Sequence, residues 1–244
     1  IVSSDTISPI RFGVNTWDVN CFEGSDGIIS ITVDDYIDVL QYEFSIDGVV
    51  NNNGFPLDTL FEGVSAGNYT ITVDDATSGC LIDVSVSISA PALPLQALVS
   101  TSTNVCYGSN LGVAVGSGAG GTPFVGGASD YDYEWFDAGY NSFSVNDTAF
   151  GLSAGSYYLE VVDANGCDTF AVVNVIEPST ALDGSPQLFN VSCKGDSTGM
   201  LVGNASGSWA PYTYYWLNMQ GDTLQTSLPN INTRDTLANL EAGN

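Results

Sequence analysis

Histidine is absent from the chain, and only Arg11, Lys194 and Arg234 carry positive charge. Without an imidazole there is no ordinary general base poised near neutral pH and no histidine metal ligand. Against those three cations stand 28 acidic residues, for a formal net charge of −25. A surface of that sign repels other polyanions, which excludes nucleic acid and anionic membrane as partners. It is the surface expected of a soluble, self-repelling extracellular protein. No apolar run approaches the roughly 20 residues that cross a bilayer as a helix, so direct membrane insertion is not expected. No stretch shows a helical period either; apolar residues alternate at period two over short runs bounded by glycine and proline, as in β-strands.

What the chain does have is a repeat. The stretch LSAGSYYLEVVDANGC (152–167) occurs earlier as VSAGNYTITVDDATSGC (64–80) and begins again as LEAGN (240–244). Gly67, Gly155 and Gly243 are 88 residues apart, while Cys21, Cys106 and Cys193 follow one another at 85 and 87. A unit of that length is too long for one turn of a solenoid and suits a small all-β domain. Residues 1–7 then read as the tail of a preceding repeat, 8–91 and 92–178 as complete repeats, and 179–244 as a third that stops within its motif, as in an interior segment of a longer protein.

Within each repeat a first strand is expected to end at Val19-Asn-Cys21, Asn104-Val-Cys106 or Asn190-Val-Ser-Cys193. A glycine-marked turn and an alternating strand follow, with Ile29, Ile31 and Val33 inward in the first repeat and Leu111, Val113 and Val115 inward in the second. The third strand is aromatic (Tyr42, Phe44, Ile46; Tyr131, Tyr133, Trp135; Tyr212, Tyr214, Trp216), and aromatics at period two read as core, with Trp135 and Trp216 at its centre. Asp47-Gly48 reads as a hairpin turn into a short strand, Val49–Asn52. Strands near Leu60–Val64, from the repeated glycine, and at Ile82–Ile88 or Phe170–Ile176 complete seven, the number of a two-sheet immunoglobulin-like sandwich. The L-x-A-G-x-Y pattern resembles a tyrosine corner, which predicts that Tyr69 and Tyr157 are buried and bond their hydroxyls to nearby backbone. Pro91, Pro94, Pro178 and Pro186 mark short, stiff joins, so the repeats are expected to form a rod.

Two motif matches carry no chemistry. Gly63-Val-Ser-Ala-Gly67 and Gly151-Leu-Ser-Ala-Gly155 match the G-x-S-x-G elbow of serine hydrolases, but a strand follows instead of a helix and no histidine base exists. Gly116-Ser-Gly-Ala-Gly-Gly121 matches a dinucleotide fingerprint, but Thr122-Pro123 stands where a helix should begin, and the segment reads as a flexible loop. No catalytic residues are expected. Asp163 and Asn165, and Asp74 and Asp75, group oxygens that would suit Ca²⁺, although D-x-N-G is equally an ordinary turn; no other cofactor is expected.

Cysteines recurring at repeat boundaries without histidine imply disulfides formed in an oxidising compartment. One scheme joins Cys21 to Cys80 and Cys106 to Cys167, within repeats. Strand parity favours another. Five antiparallel strands separate Cys21 from Cys80, which places them at opposite ends of a sandwich whose strands span about 17 Å; a disulfide needs Cα atoms within about 7 Å. Cys21 would then bond Cys167 of the next repeat, with partners for Cys80, Cys106 and Cys193 outside this stretch. If the short fourth strand is only a loop, the parity flips and the first scheme returns.

Gly-Gly-Thr-Pro (120–123), the aromatic strand ending in Trp135, L-x-A-G-x-Y and V-x-D-x-N-G-C together resemble the SprB-type repeat, over nearly the whole chain. The first repeat lacks the Gly-Gly-Thr-Pro element, and the second carries an insertion around Val125–Ser129. That family builds long surface adhesins of gliding Bacteroidota, exported by type IX secretion. The resemblance implies tandem immunoglobulin-like sandwiches on the outer surface of a Gram-negative bacterium. It implies a stalk acting in adhesion and gliding motility, bound to an extracellular surface or polysaccharide, to neighbouring repeats and to the outer-membrane motility and secretion machinery. An ancillary array on a secreted hydrolase, or a subunit of a surface filament, are the alternatives. Asp-Thr or Asp-Ser followed by a small or aliphatic residue, at Thr6, Thr59, Thr148, Ser197, Thr223 and Thr236, resembles the O-glycosylation signal of the same bacteria; three of these, at Thr59, Thr148 and Thr236, also read as one strand's threonine repeated.

Overall fold

A computed structural model describes residues 12–33, 42–50, 58–75, 79–101, 105–127, 129–228 and 234–242. Every regular element among them is a β-strand. The first repeat supplies β1 (Phe12–Trp17), β2 (Gly27–Val33), β3 (Tyr42–Ile46), β4 (Val49–Val50), β5 (Asp58–Val64), β6 (Gly67–Asp75) and β7 (Cys80–Ile88). The second supplies β8 (Gln96–Thr101), β9 (Gly112–Ala119), β10 (Asp132–Phe136), β11 (Ser142–Ser144), β12 (Thr148–Leu152), β13 (Gly155–Val162) and β14 (Asp168–Val175). The third supplies β15 (Asp183–Gly184), β16 (Gln187–Phe189), β17 (Gly199–Ser206), β18 (Tyr215–Leu217), β19 (Thr223–Thr226) and β20 (Arg234–Leu240).

The first repeat pairs β1-β2-β5 in one sheet and β4-β3-β6-β7 in the other; the second pairs β8-β9-β12 and β11-β10-β13-β14. Three strands against four in this order is the immunoglobulin-like arrangement. In the third, β15, β16 and β20 flank β17, and β18 pairs β19. The Asp47-Gly48 hairpin has positive φ at both residues (47° and 79°), as a two-residue type I′ turn requires.

By Cα proximity the chain divides into two compact units. One is Ile1–Leu98, Ser117–Asp132 and Glu160–Phe170; the other is Val99–Gly116, Tyr133–Leu159 and Ala171–Asn244. The first unit centres on Val19, Ile29, Ile31, Phe44, Ile46, Ile71, Val73 and Ile88, all buried. In the second, Ala114, Trp135, Ala149, Leu152, Leu159, Val173 and Val175 are buried, with Val202 and Leu237. Trp135 is wholly enclosed and its indole N–H donates to the Asn146 carbonyl (2.9 Å), which satisfies its one polar group.

Three expectations need correction. The strands preceding the cysteines stop early, β1 at Trp17, because Cys21 opens a turn closed by the Gly24 amide on its carbonyl (3.0 Å). In β9 the inward positions are Gly112, Ala114 and Gly116, while Leu111 is 71% and Val115 44% exposed. A Cβ at Gly116 would collide with Leu159 and press on Trp135 at 3.3 Å, so bulk from the facing sheet claims the space and the strand turns its small residues inward. For the same reason Gly116–Ala119 is strand rather than flexible loop: the Tyr131 ring lies 2.5 Å from where a Cβ of Gly118 would stand.

Candidate functional site

The cysteines of the three repeats occupy the same local turn. Ser109 N–H donates to the Cys106 carbonyl at 3.0 Å and Asp196 N–H to that of Cys193 at 3.1 Å, as Gly24 does to Cys21. Six residues after each cysteine stands a glycine, Gly27, Gly112 or Gly199. There a Cβ would lie 2.6, 2.7 and 2.7 Å from the carbonyl oxygens of Val64, Leu152 and Leu240. This close approach, rather than the turn itself, explains the glycine that ends each glycine-marked turn at a constant offset from the cysteine.

Cys21 is bonded to Cys167, S–S 2.10 Å and Cα–Cα 5.8 Å, across a sequence separation of 146. Both belong to the first compact unit. With these two partnered to each other, the scheme Cys21–Cys80 with Cys106–Cys167 is not the one the structure adopts. Cys106 and Cys193 are exposed free thiols, and Cys80 is exposed at the start of β7.

The D-x-N-G-C motif builds this joint from the backbone up. Asp163, only 1% exposed, accepts the Thr122 N–H through Oδ2 (2.8 Å) and the N–H groups of Asn165 (3.0 Å) and Cys167 (2.9 Å) through Oδ1. Its own N–H donates to the Cys167 carbonyl at 3.0 Å, and Gly166 N–H returns to the Asp163 carbonyl at 3.0 Å. A buried carboxyl is tolerable only when so satisfied. Asn165 Nδ2 then donates to the Asn20 carbonyl (2.9 Å), beside Cys21, and to Thr122 Oγ1 (3.1 Å). Asp163 thus holds the Cys167 backbone while Asn165 grips the residue before Cys21, and the loop presents Cys167 to its partner. Of the oxygens that suggested Ca²⁺, both of Asp163 are engaged by amide donors. Asp74 is half-buried in β6, and the side chain of Asp75 lies outside the described residues. Among the described residues no three acidic or thiol groups gather in metal-ligating positions.

Tyr69 and Tyr157 donate their hydroxyls to the carbonyls of Ser65 (2.8 Å) and Ser153 (3.1 Å), each four residues upstream, as a tyrosine corner does. Both are half-buried rather than buried, since each ring lies over the turn it closes and keeps one edge in solvent. The backbone carbonyls of the serines in the two G-x-S-x-G matches are these acceptors. A Cβ on Gly67 would stand 3.5 Å from the Tyr69 ring, Gly155 opens β13, and Gly243 lies outside the described residues. Trp216 donates to Asp235 Oδ2 (2.7 Å) and is half-buried.

Of the hydroxyls with a glycosylation-like sequence, Ser197 and Thr223 are exposed, and Thr148 and Thr236 are half-buried on β12 and β20. Ser197 Oγ donates to Glu241 Oε1 (3.3 Å). Thr59 sits on β5 opposite Ile31, its side chain outside the described residues, as is Thr6.

The turns β10–β11 and β18–β19 share one hydrogen-bond plan. Asp137 Oδ1 accepts the N–H groups of Gly139 (2.8 Å) and Asn141 (2.9 Å); Asn218 Oδ1 accepts those of Gln220 (3.0 Å) and Asp222 (2.8 Å). Tyr140 N–H reaches the Asp137 carbonyl (2.9 Å), and Gly221 N–H the Asn218 carbonyl (3.0 Å). At the position with positive φ the third repeat has Gly221 (88°), but the second has Tyr140 (59°). A bulky residue there costs about 1–2 kcal/mol. Tyr140 stacks on Tyr158, ring centroids 4.8 Å apart and planes 17° off parallel, a contact worth about 0.5–1.5 kcal/mol. Strain and stacking nearly cancel. A hydrogen bond with Tyr158, and that phenol's charge when ionised, hold the Tyr140 phenol above its usual pKa. The Asn141 backbone and side-chain donors, with the Gly139 amide, hold Asp137 below the usual carboxylate range.

No curated protein matches the chain. Similar solved structures include three N-terminal domains of the bacteriophage RB49 Highly Immunogenic Outer Capsid protein, 11% identical over 94% of this chain and 86% of that one, TM-score 0.47. The C-terminal 282-residue fragment of intimin, solved with the intimin-binding domain of its translocated receptor, is 10% identical over 70% and 67%, TM-score 0.37. The fibronectin(III)-like modules of Clostridium thermocellum CbhA are 13% identical over 68% and 93%, TM-score 0.32. At the level of sequence, the segment from β16 through the Cys193 turn to Gly221, residues 188–221, matches the family model of the SprB repeat.

Proposed function

We propose that this chain is a repeat segment of a long, secreted cell-surface adhesin, a non-enzymatic stalk acting in adhesion and gliding motility. The match of residues 188–221 to the SprB repeat carries the reading, and it supports a cell-surface adhesin-type repeat region. The bond between Cys21 of the first sequence repeat and Cys167 of the second agrees with it, because a stalk under tension gains from covalent joints. Each period of about 88 residues is then one module. Sugars on the exposed Ser197 and Thr223 would extend the hydrated surface. The test uses cells of the natural host. Antibody raised against the chain should stain unpermeabilised cells, and deletion of the gene should abolish attachment and spreading on agar. Staining that needs permeabilisation would refute the surface location, and normal spreading by the deletion strain would remove the motility role.

A further inference from the structure

Tyr140 places an aromatic ring, 66% exposed, at a backbone position that suits glycine. The sister turn, with the same hydrogen bonds, uses Gly221 there, so the turn itself does not need the tyrosine. Nor does stability account for it, because the gain from stacking on Tyr158 is offset by the strain. Strained residues that persist without a stability gain belong characteristically to binding sites. The first repeat lacks the partner ring: Thr70 stands there at the place of Tyr158, and its corresponding turn is Asp47-Gly48.

We propose that the Tyr140–Tyr158 pair is a platform for a neutral glycan, with a pyranose ring lying on the open face of Tyr140. Stacking of the two rings on each other holds the pair in one orientation, so little rotamer freedom is lost on binding. By strand alternation Tyr158, Ser156 and Asn174 share the outer face of the β13–β14 pair, opposite the buried Leu159, Val173 and Val175, and Ser156 Oγ bonds Asn174 Oδ1 at 2.6 Å. An aromatic face beside hydroxyl and amide groups matches a sugar, which pairs an apolar C–H face with a rim of hydroxyls. The net charge of −25 disfavours an anionic polysaccharide. Asp137, three residues before Tyr140, has both oxygens engaged within the turn. Glu160 shares the outer face two residues beyond Tyr158, so a cationic ligand is the contrast the test must include. The inference stands apart from the stalk reading, since a pure spacer needs no exposed aromatic pair.

Calorimetric titration of the full chain with cellohexaose, xylohexaose and mannohexaose tests it, with a hexalysine peptide as the contrasting probe. At least one hexasaccharide should bind. Tyr140→Gly should weaken that binding about tenfold without lowering the chain's Tm, a separation that a purely structural tyrosine would not produce. Tyr158→Thr, the first repeat's own residue, should weaken it as well. No heat with any of the three sugars, unchanged affinity in Tyr140→Gly, or binding of hexalysine in their place that is lost in Tyr140→Gly would each overturn the proposal.

Discussion

The strand after the cysteine turn fills its core in opposite ways in the first two repeats. In β2, Ile29 and Ile31 point inward and are wholly buried. In β9, Gly112, Ala114 and Gly116 take the inward places, and the volume comes from Trp135 and Leu159. The same strand order therefore tolerates moving bulk from one sheet to the other, provided the space is filled to the density of a folded interior. A periodic pattern marks a strand as half-buried, but which face is inward depends on what the opposite sheet brings.

That contrast can be broken most forcefully at Trp135. Trp135→Ala should cost about 4 kcal/mol by emptying the site that β9 leaves open. Gly116→Ala should restore part of the loss in a Leu159→Ala background, where its colliding neighbour is removed, yet destabilise the parent chain. Urea titration followed by circular dichroism measures both. Removing the joint should come next: Cys21→Ser with Cys167→Ser should cost about 3 kcal/mol. The loss should fall on the first compact unit, which holds both cysteines, and leave the second unchanged in hydrogen exchange. A smaller and equal effect is expected from the corner shared by both repeats. Tyr69→Phe and Tyr157→Phe should each lose about 1 kcal/mol with the hydroxyl bond, read as a shift in urea midpoint.

The smallest effect separates the second repeat from the third. Asp137 is held below the usual carboxylate range, so its contribution is present above the unfolded value and is lost as pH falls through the depressed one. The β18–β19 turn uses the Asn218 amide oxygen, which does not titrate. Acidification below about pH 4 should therefore loosen the Tyr140 turn more than the β18–β19 turn, as two-dimensional NMR would report. In the latter the one carboxylate, Asp222, accepts only from the Asn218 side chain (3.1 Å), and no backbone amide depends on it.

Much of the fold was legible because it rests on local chemistry. Asp47-Gly48 specified its hairpin, the L-x-A-G-x-Y stretch its tyrosine-to-carbonyl bond, and the all-β class followed from alternation. Strand parity gave the Cys21–Cys167 pairing, the one the structure holds, because antiparallel order sets the end at which each cysteine emerges. Less was legible at the sites. The glycines six residues after each cysteine answer to carbonyls on a strand far along the chain. Asp163 looks like a turn residue or a cation ligand until Thr122, 41 residues away, is seen donating to it.

From sequence alone came the period, the all-β class and the net charge of −25. These depend on neighbours in the chain or on sums over it. Only the tertiary structure decided that β9 buries its glycines, that Asp163 is a hydrogen-bonded latch, and that Tyr140 occupies a glycine's backbone conformation. Each depends on the volume and donors that another sheet or loop delivers, and nothing local encodes what arrives from there.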